Sequence, residues 1–508
     1  MSKTEQILPE NRGRKNIKAR TEIATELPDN SPEKREKEQN KWFPFVMIGL
    51  LLVVVIVVAL ILGGANGDGK TSLDNNINDT GVNWEKYAEN TIELSGTGKR
   101  TITEAGQYRL TGELANGYIE INSLGAVKLI LDGVTITNNT GPAIYVAEAK
   151  MVTIETADGS VNKLTDTSSY SGWDEDVCGV LFSHDDMVLQ GSGILIIEAN
   201  YEDGIVGKDD LKINSGTYAI TAKDEGIRGR DSVYIVDGRF DITAGGDAIK
   251  SNNSEEVGKG WVKIDGGEIY VSADDDGIHA ESSLEINGGT IQIAKSYEGL
   301  EGANIAINGG DISVTSRDDG LNAAGGNDNS SPSMGRYQQS SNEYAIYING
   351  GRLYVDAAGD GIDSNGALYL NGGIVIVDGP TGNGNGALDS ETGIVYNGGS
   401  VIAFGASGMA TAPGESSSKY SLSVFFASTY SAETKITVKD DDGNTILEHK
   451  SLKSFQHASF SSELFKESET YHIYVNDEEY TSVTLFGKTT QVGQGGGMFG
   501  PGGGNRRF

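Results

Sequence analysis

The chain has 508 residues, a formal charge of −32, and 70 glycines against 9 prolines. So acidic a chain is not a nucleic-acid partner, because phosphate contact needs clustered Lys and Arg. The single cysteine, Cys178, excludes an intrachain disulfide framework, and abundant glycine with little proline points to many tight turns rather than a disordered tail.

In chain order, Met1–Lys41 carries 10 Lys and Arg against 8 Asp and Glu. The charge-free run Phe45–Leu62 follows, which is long enough to cross a bilayer as a helix. We therefore expect a transmembrane helix over 43–63. A cleaved signal peptide fits less well, given the long leader before it and no small-residue cleavage site. The positive-inside rule makes residues 1–42 a cytoplasmic tail and places the bulk of the chain outside the cell. The expected localisation is thus the cell membrane, single-pass. Residues 64–87, with "GGANGDGKTSLDNNINDTG", read as a flexible polar linker.

Residues 88–405 repeat themselves. A strand ending in a Gly turn recurs as "LKINSG" (211–216), "VYIVDG" (233–238), "VKIDGG" (262–267), "LEINGG" (284–289), "IAINGG" (305–310), "IYINGG" (346–351), "LYLNGG" (368–373) and "IVYNGG" (394–399). The base period is 21–22 residues, lengthened where loops are inserted. Between turns, Tyr218, Phe240, Ile269, Ile291, Ile312, Leu353 and Val375 alternate with polar neighbours, the period of a half-buried strand. A unit this short is one coil of a solenoid, with three short strands; stacking coils buries columns of Ile, Leu and Val. The expected class is all-β: a parallel β-helix over 88–405, then an antiparallel β-rich cap at 406–490, then a Gly-rich tail at 491–508. The cap covers an end that would otherwise be an open sheet edge.

Seven coils also carry an acid, then Gly or Ala, then Ile or Leu, about ten residues past the turn, and in the last unit, "NGALDS" (385–390), the acid is lost. The acids are Asp203, Glu225, Asp247, Asp276, Glu298, Asp319 and Asp360, and Asp224, Asp274, Asp275 and Asp318 precede some of them. Stacked one rung apart, about 5 Å, two such charges repel by about 1 kcal/mol in water and about 3 kcal/mol near a protein surface. Such a column suits Ca²⁺, whose oxygen ligands at about 2.3–2.6 Å span one rung. The alternative is that each Asp merely caps its own turn.

Other features carry less chemistry. Arg228, Arg230, Lys250 and His279 lie nearest the column and read first as charge balancers. The outward column Lys212, Tyr234, Lys263, Glu285, Ala306, Tyr347 and Tyr369 is either a solvated strand face or a sugar platform. The five His show no zinc spacing. The inserted loops 251–261 and 323–344 are candidate contacts for a protein partner.

The stretches "GKDDLKINSG", "DEGIRGRDSVYIVDG", "DDDGIHAESSLEINGG", "GQYRLTGEL…LILDGVTITNNTGPAIYV" and "SSELFKESETYHIYV" resemble bacterial cell-surface carbohydrate-binding-domain proteins with a pectate-lyase-like, calcium-binding β-helix. The similarity runs over about 88–490. It implies a right-handed helix loaded with calcium that binds plant polysaccharide, including acidic pectic chains such as polygalacturonate and possibly cellulose. Two other functions stay open. A calcium-dependent pectate-lyase-type enzyme would use Arg228 or Lys250 as its base. An adhesin or scaffold would have no sugar specificity.

Overall fold

The computed structural model describes residues 81–324 and 344–494. The expected cytoplasmic tail, transmembrane helix, most of the linker, the centre of the second inserted loop and most of the Gly-rich tail lie outside the described residues. Among the described residues no helix is long and apolar enough to cross a membrane. The described chain is all-β, with one short 3-10 turn at Trp84–Lys86.

From Glu89 to Gly405 the strands are short, and most pair in parallel with the strand one repeat later. Three ladders result. A long ladder holds strands such as Thr217–Ala222, Arg239–Ala244 and Glu268–Ala273, in register Tyr218↔Phe240↔Ile269. A middle ladder holds Asp210–Ile213, Ser232–Ile235 and Trp261–Ile264. A short ladder runs through Ile205, Ile227, Ile249, Ile278, Leu300, Leu321 and Ile362. The alternation in the sequence becomes alternation in burial. Phe240, Ile269, Ile312 and Leu353 are fully enclosed, as is every residue of the short-ladder column. Each coil alone leaves one side of its apolar residues bare, so burial depends on the neighbour above and below.

Two different corners close each coil, and glycine serves them for different reasons. Between the middle and long ladders, Gly216, Gly238, Gly267, Gly289, Gly310, Gly351, Gly373 and Gly399 all have φ between +76° and +135°, where a side chain is strained. At the acid corner the glycines avoid that region, and Gly277 does not turn the chain by its φ. Their requirement is closeness. A Cβ at Gly299 would lie 2.2 Å from Val314 Cγ1 and 2.3 Å from the Gly320 carbonyl oxygen.

The recurring Asn before the Gly turn builds an amide stack. Asn308 donates to Asn287 at 2.8 Å, Asn349 to Asn308 at 2.7 Å, Asn371 to Asn349 at 2.8 Å and Asn397 to Asn371 at 2.9 Å. Asn287 starts the stack on Asp265 at 2.8 Å.

The last coil strand, Ser400–Gly405, pairs antiparallel with Phe455–Ser461, which pairs in turn with Ser421–Tyr430. The terminal strand of the coil is thereby covered. A separate antiparallel sheet holds Thr445–Lys450, Lys435–Asp440, Thr470–Val475 and Glu478–Thr484 in that order. It shares a second core with the strands above, built on Phe404, Phe426, Phe455, Phe460 and Tyr471. Buried Asp378 ties this region to the coil. It accepts from the Tyr354 hydroxyl at 2.8 Å and the Leu452 amide at 3.2 Å, and meets His449 Nε2 at 3.2 Å.

Gly299→Ala is expected to destabilise the protein by about 1–3 kcal/mol through overpacking, read as a lower denaturation midpoint. An unchanged midpoint would mean the acid corner is looser than described.

Candidate functional site

The motif acids stand in one column at the entry to the short ladder. At this corner the amides of Glu225, Asp276, Glu298 and Asp360 are met by a carboxylate oxygen of the preceding rung. Asp203 Oδ1 accepts from the Glu225 amide at 3.1 Å, Asp247 from Asp276 at 2.8 Å, Asp276 from Glu298 at 3.0 Å and Asp319 from Asp360 at 2.6 Å. Asp360 does the same for the Gly386 amide. These acids therefore cap backbone amides of the next rung and not each its own turn, as the alternative had it. One oxygen of each Asp is spent on this capping, and the second remains for a cation.

A second column stands one residue past the apolar rung: Val206, Arg228, Lys250, His279, Glu301, Asn322 and Asp363, paired in register. It divides the acids into two classes. On the upper rungs the cations are side chains. Arg228 Nη2 lies 2.6 Å from Asp203, and Lys250 Nζ lies 2.7 Å from Asp247 and 3.3 Å from Glu225. His279 Nδ1 lies 3.4 Å from Asp276 and contacts Glu301. On the lower rungs the column itself turns acidic. Among the described residues no Lys, Arg or His pairs with Asp319, Asp360 or Asp363.

The protonation equilibria do not simply follow this division, because burial raises Asp203 and Asp247 even beside Arg228 and Lys250. Burial pushes Asp203 up to about 9, helped by the neighbouring Glu225. Burial acts the same way on Glu225, but the Asp203 hydrogen bond and the charges of Arg228 and Lys250 bring it down to about 2. Burial would lower His279, yet its hydrogen bonds to Asp276, Glu281 and Glu301 raise it to about 12. Asp319 rises to about 8 through burial and then the Asp360 charge. Asp363 rises to about 7 through burial, Asp360 and Asp389, and Asp360 rises to about 6 mainly through burial. Unpaired carboxylates this close hold protons unless another cation neutralises them.

Four groups offer ligand atoms within 4.8 Å of one another: Asp203, Asp224 and Glu225; Asp247, Asp276 and His279; Asp276, Glu298 and Glu301; and Asp319, Asp360 and Asp363. Two buried oxygens beside the third group, Glu301 Oε1 and Asn322 Oδ1, have no hydrogen-bond partner. The three of these groups that hold only carboxylates fit a hard cation such as Ca²⁺. Asp274, Asp275 and Asp318 join none of these groups. Asp274 is exposed and pairs with Lys295. The tripled acid at 274–276 thus contributes only Asp276 to the column.

Sequence reasoning missed Glu301, Asn322 and Asp363 as donors. The signal was the residue after each Ile or Leu of the repeat, which runs Val, Arg, Lys, His, Glu, Asn, Asp down the stack. Arg228 and Lys250 act as counter-ions. Burial would lower Lys250, but Asp247 and Glu225 raise it above the ordinary lysine value, the opposite of what a base requires. The outward column forms as expected, yet it satisfies itself. Tyr347 and Tyr369 stack on each other, ring centroids 5.0 Å apart and 7° from parallel, and Lys212 and Lys263 both lie 5.4 Å from the Tyr234 ring. Ring faces turned to neighbouring rungs offer no flat platform to a sugar.

Residues 97–335 match the family described as carbohydrate-binding domain-containing protein. A protein of that description from Acetivibrio thermocellus is 36% identical over 185 residues, which are 34% of this chain and 65% of the relative's own length. A solved structure titled as the polysaccharide lyase-like protein from C. thermocellum, a gadolinium derivative, is 36% identical. The match covers 42% of this chain and 84% of that one, with a TM-score of 0.38. The resemblance to carbohydrate-binding-domain proteins stated from the sequence is thus borne out.

The raised acids set a pH dependence. A carboxyl with a folded value above its ordinary 3.8 binds more protons when folded, so its stabilisation is present below 3.8 and lost as pH rises through the folded value. In chelated protein, Asp363→Asn should therefore raise the melting temperature at pH 8 and leave it unchanged at pH 4. A variant that melts lower than wild type at pH 8 would contradict the crowding of these acids.

Proposed function

We propose that this chain, whose residues 97–335 match the carbohydrate-binding domain-containing proteins, is a calcium-loaded binder of acidic, plant-type polysaccharide held at the cell surface by its N-terminal helix. The three parallel ladders are read as a right-handed β-helix of pectate-lyase type. One observation carries the calcium reading: Asp319, Asp360 and Asp363 converge with no side-chain cation among the described residues, while the upper rungs have Arg228, Lys250 and His279. Glu298, Glu301 and Asn322 supply a second set of oxygen donors.

The bound ion explains how so acidic a protein holds an acidic sugar. A polyuronate carboxylate is repelled by a chain of charge −32. Ca²⁺ held by two or three protein carboxylates keeps coordination positions for a ligand carboxylate and bridges the two. Neutral polymers gain nothing from this bridge, and the self-stacked tyrosines give them no alternative platform. A lyase would need a base poised near neutral pH beside the ion. Arg228 and Lys250, the candidate bases of this face, are committed to buried Asp203, Glu225 and Asp247, which favours binding over cleavage.

Full-length protein is expected to co-sediment with insoluble polygalacturonate in calcium and to release it on chelation, with no growth of ultraviolet absorbance from unsaturated product. Accumulating absorbance would make the protein a lyase. Absence of binding with calcium-dependent melting retained would leave a scaffold.

A further inference from the structure

The upper, basic end of the short-ladder face holds a cleft of about 170 Å³, lined by Val206, Gly207, Lys208, Arg228, Arg230 and Asn252. It is smaller than the few hundred Å³ of a typical small-molecule pocket, so it has room for one charged group rather than a chain. Two insertions into the plain repeat flank it. On one side Val177 and Cys178 pack over Phe182 and Val206. On the other, the inserted loop after Ser251 is pinned by Asp231, which accepts from Asn253 at 2.6 Å and Lys259 at 2.8 Å.

Three of the six lining residues are cations, in a chain of charge −32. Their acidic partners are mostly on the rim. Lys208 meets Asp176 at 3.5 Å, and Arg230 meets buried Asp231 at 3.1 Å and, at the rim, Glu255 and Glu256 at 3.3 Å each. Asp176, Glu255 and Glu256 are 46%, 81% and 57% exposed, so those three pairs are weak and readily exchanged. Arg228 spends only Nη2 on Asp203 and Cys178 Sγ, both at 2.6 Å. Among the described residues its Nε and Nη1 bond nothing, which leaves two guanidinium donors for the oxygens of a ligand.

We propose that this cleft binds a carboxylate of the acidic sugar chain directly, without a metal, at the end of the face opposite to Asp363. The proposal rests on the polysaccharide reading above. Arg228 and Asp363 stand in one column five rungs apart, about 24 Å at about 4.8 Å per rung. A polyuronate lying along the axis would meet a guanidinium contact at one end and an ion-bridged contact at the other.

The test compares wild type, Lys208→Gln/Arg230→Gln and Lys208→Arg/Arg230→Lys as full-length proteins, with polygalacturonate and its fully methyl-esterified form as probes. In saturating calcium the Gln variant should bind polygalacturonate about tenfold more weakly, the charge-conserving variant should bind like wild type, and the weak binding of the ester should not change. The calcium-induced melting shift should be the same in all three. Equal affinity of the Gln variant and wild type for polygalacturonate would overturn the cleft while sparing the broader reading, and so would an equal loss for the ester. Failure of wild type to bind polygalacturonate at all would overturn both.

Discussion

Everything in this protein depends on one constraint: successive coils stack in register, so a residue type repeated in sequence becomes a column in space. For apolar residues the column is the core, and neither face of an Ile such as Ile278 is covered until the coils above and below are present. For asparagine the column is a chain of amide bonds. For glycine it is a line of close approaches between Gly277, Gly299, Gly320 and Gly361, where a side chain on one rung would strike the carbonyl of the next. For carboxylates the same stacking is unfavourable, and the functional chemistry grows out of how that repulsion is resolved.

The resolution has two layers. The corner amides take one oxygen of each Asp, which makes the column structural before it is anything else. The remaining charge is met by Arg228, Lys250 and His279 on the upper rungs. On the lower rungs the same register holds Glu301, which His279 contacts, Asn322, which donates to Glu298, and Asp363, which adds a further carboxylate beside Asp319 and Asp360. A single face therefore runs from basic to acidic along the axis. In the proposed function, an acidic sugar chain would meet a cation at both ends, one covalently part of the protein and the other held by it.

The repeat made the fold legible. The alternation at Tyr218, Phe240 and Ile269, the Gly turns at 216, 238 and 267 and the column of acids all lie where their spacing puts them, because parallel stacking converts spacing directly into position. The division of the acids was less legible. Doubled and tripled acids drew attention to Asp274 and Asp275, yet neighbouring residues at a corner point apart, and Lys295 takes Asp274 away at the surface. The deciding letter was the one after Ile or Leu in each repeat, whose significance appears only when rungs are compared with each other. The two roles of glycine were likewise indistinguishable in sequence, since positive φ and close packing select the same residue.

The central claim is that side chains neutralise the upper rungs and calcium the lower. Crystals of the protein grown in calcium and measured for anomalous scattering test it directly. The account predicts density among Asp319, Asp360 and Asp363 and beside Glu301 and Asn322, with none between Asp203, Glu225 and Asp247. Ions on the Arg228 and Lys250 rungs, or none on the lower ones, would contradict it.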